Sequence, residues 1–370
     1  MNGATLGHPL VDRTLSNGKV IRAVAGFDAT LSAPKALSVL WALSGDDGLA
    51  ECHDVAVRAV ADCLERDADA PRHPRPHDGC VPPDHQPRRR PAAAHHLVIS
   101  AKVQTADERW PALDARFLKR HQRTLGGLYQ SVLRSELAHR YGFAFEPIVN
   151  GQAELAGVPD ELLTVFSKRT AEIDTVMAGR VAEFYRREGC DPTRQELAAM
   201  QRQAAADSRA RKTGRTADEM RSLWRVEAAT VGVAPTSLRR SIDAAAADHP
   251  ATTPELTTTA VIGAFALGAS TWHRADVMRI ICELARPAPG VSGERWAAWL
   301  DRAVDTVMAQ CVDLDPELLE HTRRRASDGR SIWIEPIART SPAKPCSPRS
   351  SRSSTGPPRR RCSTHNLRPR

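Results

Sequence analysis

Between residues 26 and 43 the chain changes its hydrophobic period. Phe27, Ala29 and Leu31 alternate with Asp28, Thr30 and Ser32, the two-residue period of a half-buried strand. From Leu37 onward, Leu37, Leu40, Trp41 and Leu43 fall on one helical face. Ser32 reads as the cap of that helix and Pro34 as a first-turn residue that needs no N–H. A second helical stripe runs through Val55, Ala59, Val60 and Cys63, predicting a helix over residues 52–65. Leu97–Val103 reads as a strand, with Trp110–Asp114 as its partner across a polar turn. A longer helix begins at Lys119 and runs to Tyr141, with Leu125, Leu128, Tyr129, Val132, Leu133 and Leu137 on its apolar side. Two short strands over 142–150 and 152–157 flank Asn150-Gly151, a hairpin signal.

After Val158-Pro159-Asp160 the period is helical, through Leu162, Val165, Phe166, Ile173, Val176 and Met177. Residues 191–215 form a polar, Ala-rich helical stretch. Residues 216–312 are helical throughout, the last helix being Val291–Asp313 with Trp296, Leu300, Val304 and Val307 on one face. Two segments lack any period. Residues 67–94 are packed with Pro and Arg, and residues 339–370 with Ser, Pro and Arg; neither buries enough apolar surface to offset its chain entropy. Ala326–Pro336 carries an Asp328-Gly329 turn and a strand-like alternation. The pattern predicts an α+β region with an antiparallel sheet and flanking helices over 1–66 and 95–215, interrupted by a disordered insert at 67–94. A helical domain over 216–338 and a disordered basic tail at 339–370 follow.

Charge changes this picture less than its total suggests. The chain of 370 residues carries a formal net charge of +8. Residues 339–370 hold nine Lys or Arg and no Asp or Glu, so the first 338 residues balance at −1 (43 basic against 44 acidic). The basic character belongs to the tail and is weak support for a basic binding surface on the folded part. The eight Cys show no C-x-x-C spacing, which points to reduced thiols and a cytoplasmic location. No apolar run is long enough to span a bilayer, and no G-x-x-x-x-G-K-[ST] phosphate loop occurs.

Candidate chemistry concentrates at the strand-to-helix corner. Asp28 lies on the strand, and Lys35 lies in the first helical turn beside backbone N–H groups that favour an anion such as phosphate. The alternative is a buried, hydrogen-bonded Asp and a solvated Lys. Lys119, Arg120 and Arg123 read as phosphate contacts or as a solvated helix entrance. His73, His77 and His85 sit in the aperiodic insert, which supplies no frame for metal geometry. Tyr129 is the first tyrosine in the chain, and a mid-helix position on an apolar face suits packing better than nucleophilic attack.

The stretch F-D-A-T-L-S-A-P-K-A-L-S resembles the F-D-x-T-x-S-A-P-K-S-x-S motif of TrwC-type (MobF) conjugative relaxases, with Ala36 where that family usually has Ser. G-L-Y-Q-S-V-L-R-S-E-L resembles the family's long core helix, F-S-K-R-T-A-E-I a later segment, and S-T-W-H-R-A-D-V its pre-helicase region. The resemblance implies a palm-like sheet of the HUH type. It also implies site- and strand-specific nicking of a plasmid transfer origin by a tyrosine that stays attached to the DNA. The aspartate of the strand assists, and three histidines hold a divalent metal such as Mg or Mn. The implied partner is single-stranded or hairpin transfer-origin DNA, with no membrane and no small-molecule substrate. The region at 191–215 would wrap the DNA.

Only Asp28 and His96 map onto that machinery. His95 occupies the position between the last two family histidines, and the rest of the L-H-T-H pattern is missing. No tyrosine precedes Tyr129, where the family keeps its nucleophiles. The chain is therefore expected to be a relaxase fragment, disrupted internally by a compensated frameshift and inactive alone. The alternative expectation is a non-catalytic DNA-binding or interaction protein.

Overall fold

The computed structural model describes residues 11–67, 94–102, 113, 115–207, 215–248, 256–266, 271–287, 289–313 and 346–348. A small hairpin, β1 (Arg13–Thr14) and β2 (Val20–Ile21), precedes β3 (Gly26–Ser32). β3 pairs antiparallel with β4 (Ala94–Ser100), in a register that sets Thr30 opposite His96 and Leu31 opposite His95. Leu31, His95 and Leu97 face inward and are buried, whereas Asp28, Thr30 and Val98 face outward and are exposed. The predicted alternation of β3 is thus the alternation observed.

Between these strands lie α1 (Lys35–Ser44) and α2 (Asp47–Asp67). The entrance to α1 differs from the expectation. Ser32 stays in the strand, Pro34 is the N-cap, and it supplies no side-chain hydrogen bond. Pro34 has no N–H to satisfy, and the cap comes instead from a carboxylate far along the chain.

The central element is α3 (Ala115–Tyr141), which packs against α2, α10 (Arg274–Leu284) and α11 (Gly293–Met308). Leu128, Tyr129, Val132, Leu133 and Leu137 are buried along it, as their spacing predicts. Polar ties cross the same interface. The Trp296 indole donates to Ser131 Oγ at 2.9 Å, and Gly293 N–H donates to the buried Glu136 carboxylate at 2.7 Å. One hydrophobic core runs from Leu31 in β3 to Val307 in α11, so residues on both sides of position 216 share it.

The segment after α3 is a hairpin bridged at Phe145–Leu155 and Val149–Gln152. Its turn has Asn150 at φ 52° and Gly151 at φ 81°, the left-handed pair that Asn-Gly favours. The single helix expected from Asp160 is two, α4 (Asp160–Val165) and α5 (Lys168–Glu188). The break falls where Phe166 turns into the core and Ser167 Oγ donates back to the Leu163 carbonyl at 2.7 Å.

Next come α6 (Arg194–Asp207), α7 (Ala217–Ala229), α8 (Pro235–Asp248) and α9 (Thr258–Ala266). α5 and α6 pack on each other and leave most of their surface exposed. The helix expected over Val291–Asp313 ends at Met308, where Ala309 closes it by donating to the Asp305 carbonyl. Cys311–Asp313 then forms β5, paired antiparallel with β6 (Cys346–Pro348) inside the segment expected to be disordered. The insert at 68–93, the rest of the tail, the strand at Ala326–Pro336 and all of Trp110–Asp114 but Leu113 lie outside the described residues. Cys52, Cys63, Cys190, Cys282 and Cys311 are free thiols.

Candidate active site

The outward face of the β3–β4 ladder brings two of the predicted residues together. Ala101 N–H donates to the Ala25 carbonyl at 3.1 Å, which makes 25/101 a hydrogen-bonded pair. Alternation along an antiparallel ladder then makes Thr30/His96 and Asp28/Val98 non-hydrogen-bonded pairs, the kind with the closer side chains. His96 faces Thr30 directly, with Nδ1 3.4 Å from Thr30 Oγ1, and reaches diagonally to Asp28. Nδ1 lies 3.0 and 2.9 Å from the two Asp28 carboxylate oxygens. A proton on Nδ1 donated to Asp28 leaves Nε2 as a lone-pair donor, the arrangement used by oriented metal-binding or proton-accepting imidazoles. The pair is accessible, with side-chain exposures of 37% for His96 and 56% for Asp28. The buried Asp28 of the alternative reading is not what the fold builds.

The other predicted residues are placed differently. The backbone N–H groups of Lys35 and Ala36, expected to favour a phosphate, donate to the Glu154 carboxylate at 3.3 and 2.8 Å. An anion already sits at this helix terminus, supplied by the hairpin after α3. The Lys35 ammonium donates to Ser167 Oγ between α4 and α5. Lys119, Arg120 and Arg123 are exposed along the first turns of α3, where Lys119 Nζ donates to Gln122 Oε1 at 3.0 Å. Seven residues further on, about 10 Å along the axis, Gln130 donates to the Ser32 carbonyl at 3.1 Å and ties α3 to the end of β3.

On the inward face lies a cluster that the sequence reading did not identify. His95 Nε2 pairs with Asp54 Oδ1 of α2 at 3.1 Å, and its ring lies 4.4 Å from that of His53. His53 Nδ1 in turn lies 2.5 Å from the Tyr129 hydroxyl of α3. His53, His95 and Tyr129 are all buried. Burial, reinforced by the neighbouring His95, lowers the His53 pKa to about 3, and burial raises that of Tyr129 well above its ordinary value. The inward alternation of His95 with Leu97 and Ile99 was readable; the approach of Asp54 and His53 was not.

None of the three tyrosines lies on the β3–β4 sheet. Tyr129 is buried with its phenol pushed away from ionisation. Tyr141, at the end of α3, is pushed the same way by burial and by its hydrogen bond to Asp46. Tyr185 is exposed on α5. The donor set is equally thin. Among the described residues no group of three His, Cys, Asp or Glu side chains is placed to hold a metal ion. One imidazole with its orienting carboxylate does not fit a tightly held divalent ion. No helix among the described residues is long and apolar enough to cross a membrane.

A family model described as TrwC relaxase matches residues 2–231. No curated protein matches the chain. Among solved structures, the chain is similar to a copper-bound conjugative relaxase TrwC in complex with oriT DNA, at 25% identity and a TM-score of 0.47, covering 63% of this chain and 78% of that one. A metal-free TrwC–oriT DNA complex is similar at 24% identity and a TM-score of 0.46, covering 63% and 81%. A TrwC complex with a 27-mer DNA comprising the recognition hairpin and the cleavage site gives 26% identity and a TM-score of 0.43, covering 57% and 75%.

Proposed function

The chain belongs to the TrwC relaxase family, and from that membership we propose that it binds transfer-origin DNA, single-stranded or folded as a hairpin, without nicking it on its own. The family's reaction is site- and strand-specific nicking with transfer of the strand to a tyrosine. The placement of the tyrosines carries the negative half of the proposal. A nucleophilic phenolate must reach the phosphorus held at the sheet, and Tyr129, Tyr141 and Tyr185 all sit on helices, two of them pushed away from ionisation.

Asp28 holds the His96 imidazole with Nδ1 toward the carboxylate, leaving the Nε2 lone pair to accept from a water that in turn donates to a phosphate oxygen. Lys119, Arg120 and Arg123 are the side chains assigned to the DNA backbone, exposed on α3. A divalent metal of the Mg or Mn class, when bound, would neutralise charge on the scissile phosphate. The described donors hold one ligand for it, and DNA binding by this chain is accordingly metal-independent. The tyrosine-less sheet and the intact helical core support a binding module over an active nuclease.

The test is fluorescence anisotropy with a hairpin oligonucleotide from the transfer origin of the element carrying the gene, in EDTA. Binding that persists in EDTA, weakens with salt, and falls on substituting Lys119, Arg120 and Arg123 with Ala supports the proposal. An inert core that leaves all binding to residues 339–370 contradicts it.

A further inference from the structure

The two-residue alternation of β4 fixes which face is buried but leaves its position along β3 open. A slip of one residue would turn His96 inward. A slip of two keeps the faces and satisfies the apolar pattern equally well, with Leu97 opposite Leu31, Ile99 opposite Ala29 and Ala101 opposite Phe27. Such a slip carries His96 about 7 Å along the strand, out of reach of Asp28. Something other than hydrophobicity must choose the register observed.

We propose that His95 is the positioning residue that sets this register and so places His96 against Asp28. His95 is the one polar side chain on the inward face of β4, and it is 5% exposed. In the observed register its Nε2 meets Asp54 at 3.1 Å and its ring lies 4.4 Å from that of His53, tilted by 30°, with His53 itself fixed by the Tyr129 hydroxyl at 2.5 Å. In the register slipped by two, Leu97 takes that place. The Asp54 carboxylate and the His53 ring then face a side chain with nothing to offer them, and His95 reaches the sheet end instead. A polar partner for a buried imidazole that only one alignment supplies separates alignments that apolar contacts leave equivalent. The side chain on one face of the strand thereby decides what its neighbour does on the other.

This inference rests on reading Asp28 and His96 as the residual site, but register can be measured without reference to DNA. Ser32 and Ala94 form a non-hydrogen-bonded pair, close enough for a disulfide when both are cysteine. In the slipped register Ser32 faces His96. The experiment oxidises the full-length double variants S32C/A94C and S32C/H96C, each with and without H95L, and maps the disulfides by mass spectrometry. With His95 present, the 32–94 bond forms and the 32–96 bond does not. With H95L, the 32–94 bond is lost and the 32–96 bond appears.

His96 imidazole nitrogen shifts at fixed pH, read in H95L without the cysteines, lose the signature of the Asp28-bound tautomer. D54A, which alters a half-exposed residue outside the strand, repeats the test should H95L fail to fold, and shifts the cross-link in the same direction. A folded H95L or D54A protein that cross-links 32–94 as the parent does and keeps the His96 signature overturns the proposal. Failure of DNA binding with the cross-link shift intact overturns only the functional reading.

Discussion

Glu154 closes the N-terminus of α1, its carboxylate accepting from the backbone N–H groups of Lys35 and Ala36 at 3.3 and 2.8 Å. The two partners are more than a hundred residues apart, and the contact joins the hairpin after α3 to the strand-to-helix corner that carries Asp28. Glu154→Ala leaves two N–H groups without a partner and costs about 1–2 kcal/mol. Glu154→Gln keeps one acceptor oxygen and loses less. Urea unfolding of the three proteins gives that order, whereas equal midpoints would show that the cap contributes nothing.

Acid acts through His53. Burial, reinforced by the neighbouring His95, pushes its folded pKa down to about 3 from the ordinary 6.5, so below pH 6.5 the unfolded chain binds a proton that the folded chain refuses. Stability contributed by the neutral ring is fully present above pH 6.5 and falls as pH drops toward 3, by up to about 5 kcal/mol. His53→Gln flattens this slope in melting temperatures measured between pH 7 and pH 4. An unchanged slope would assign the acid sensitivity to other groups.

Gly157 combines two constraints. Its φ is +80°, and a Cβ there would meet the Ser241 carbonyl oxygen at 2.5 Å and the Ala245 Cβ at 2.8 Å in α8. Gly157→Ala therefore strains the backbone and drives α8 away from the hairpin, costing at least about 2 kcal/mol. Gly151→Ala, with φ +81° and open space around it, isolates the backbone share alone. The difference between the two in chemical denaturation measures the packing share, and a zero difference would contradict the close approach.

Tyr129 is a structural residue in this account. Tyr129→Phe removes the hydrogen bond to His53 Nδ1 and leaves that buried nitrogen without it, at a cost of about 1–3 kcal/mol. DNA affinity stays unchanged. A loss of affinity without a loss of stability would give the hydroxyl a role at the DNA.

The elements that depend on short-range pattern were legible from sequence. The β3 alternation, the buried stripe of α3, the Asn150-Gly151 turn and the α11 face with Trp296, Leu300, Val304 and Val307 all follow from period and turn chemistry. What was not legible depends on contacts distant in sequence. Ser32 has the chemistry of a cap, but β3 keeps it paired and a carboxylate from residue 154 fills the role. Phe166 continues a helical period, yet α4 ends at Val165 and Phe166 closes it while staying buried in the core.

At the site, Asp28 and His96 were each identifiable, but their contact requires the 26–100 register, which alternation alone does not specify. The helix terminus at Lys35 has the chemistry of an anion site, but its occupant, the Glu154 carboxylate, lies more than a hundred residues along the chain. The buried set of His53, His95 and Tyr129, with the half-exposed Asp54 beside it, left only one trace in the sequence, the inward phase of His95.

The most direct test of the central claim is a nicking assay. The purified full-length chain is incubated with supercoiled plasmid bearing the transfer origin and with Mg or Mn, then treated with protease or left untreated before electrophoresis. The account predicts supercoiled DNA that is bound but uncut, with no protein-linked circles. Relaxed circles whose mobility changes on protease digestion would contradict it, since they require a tyrosine of this chain to have reached the phosphate.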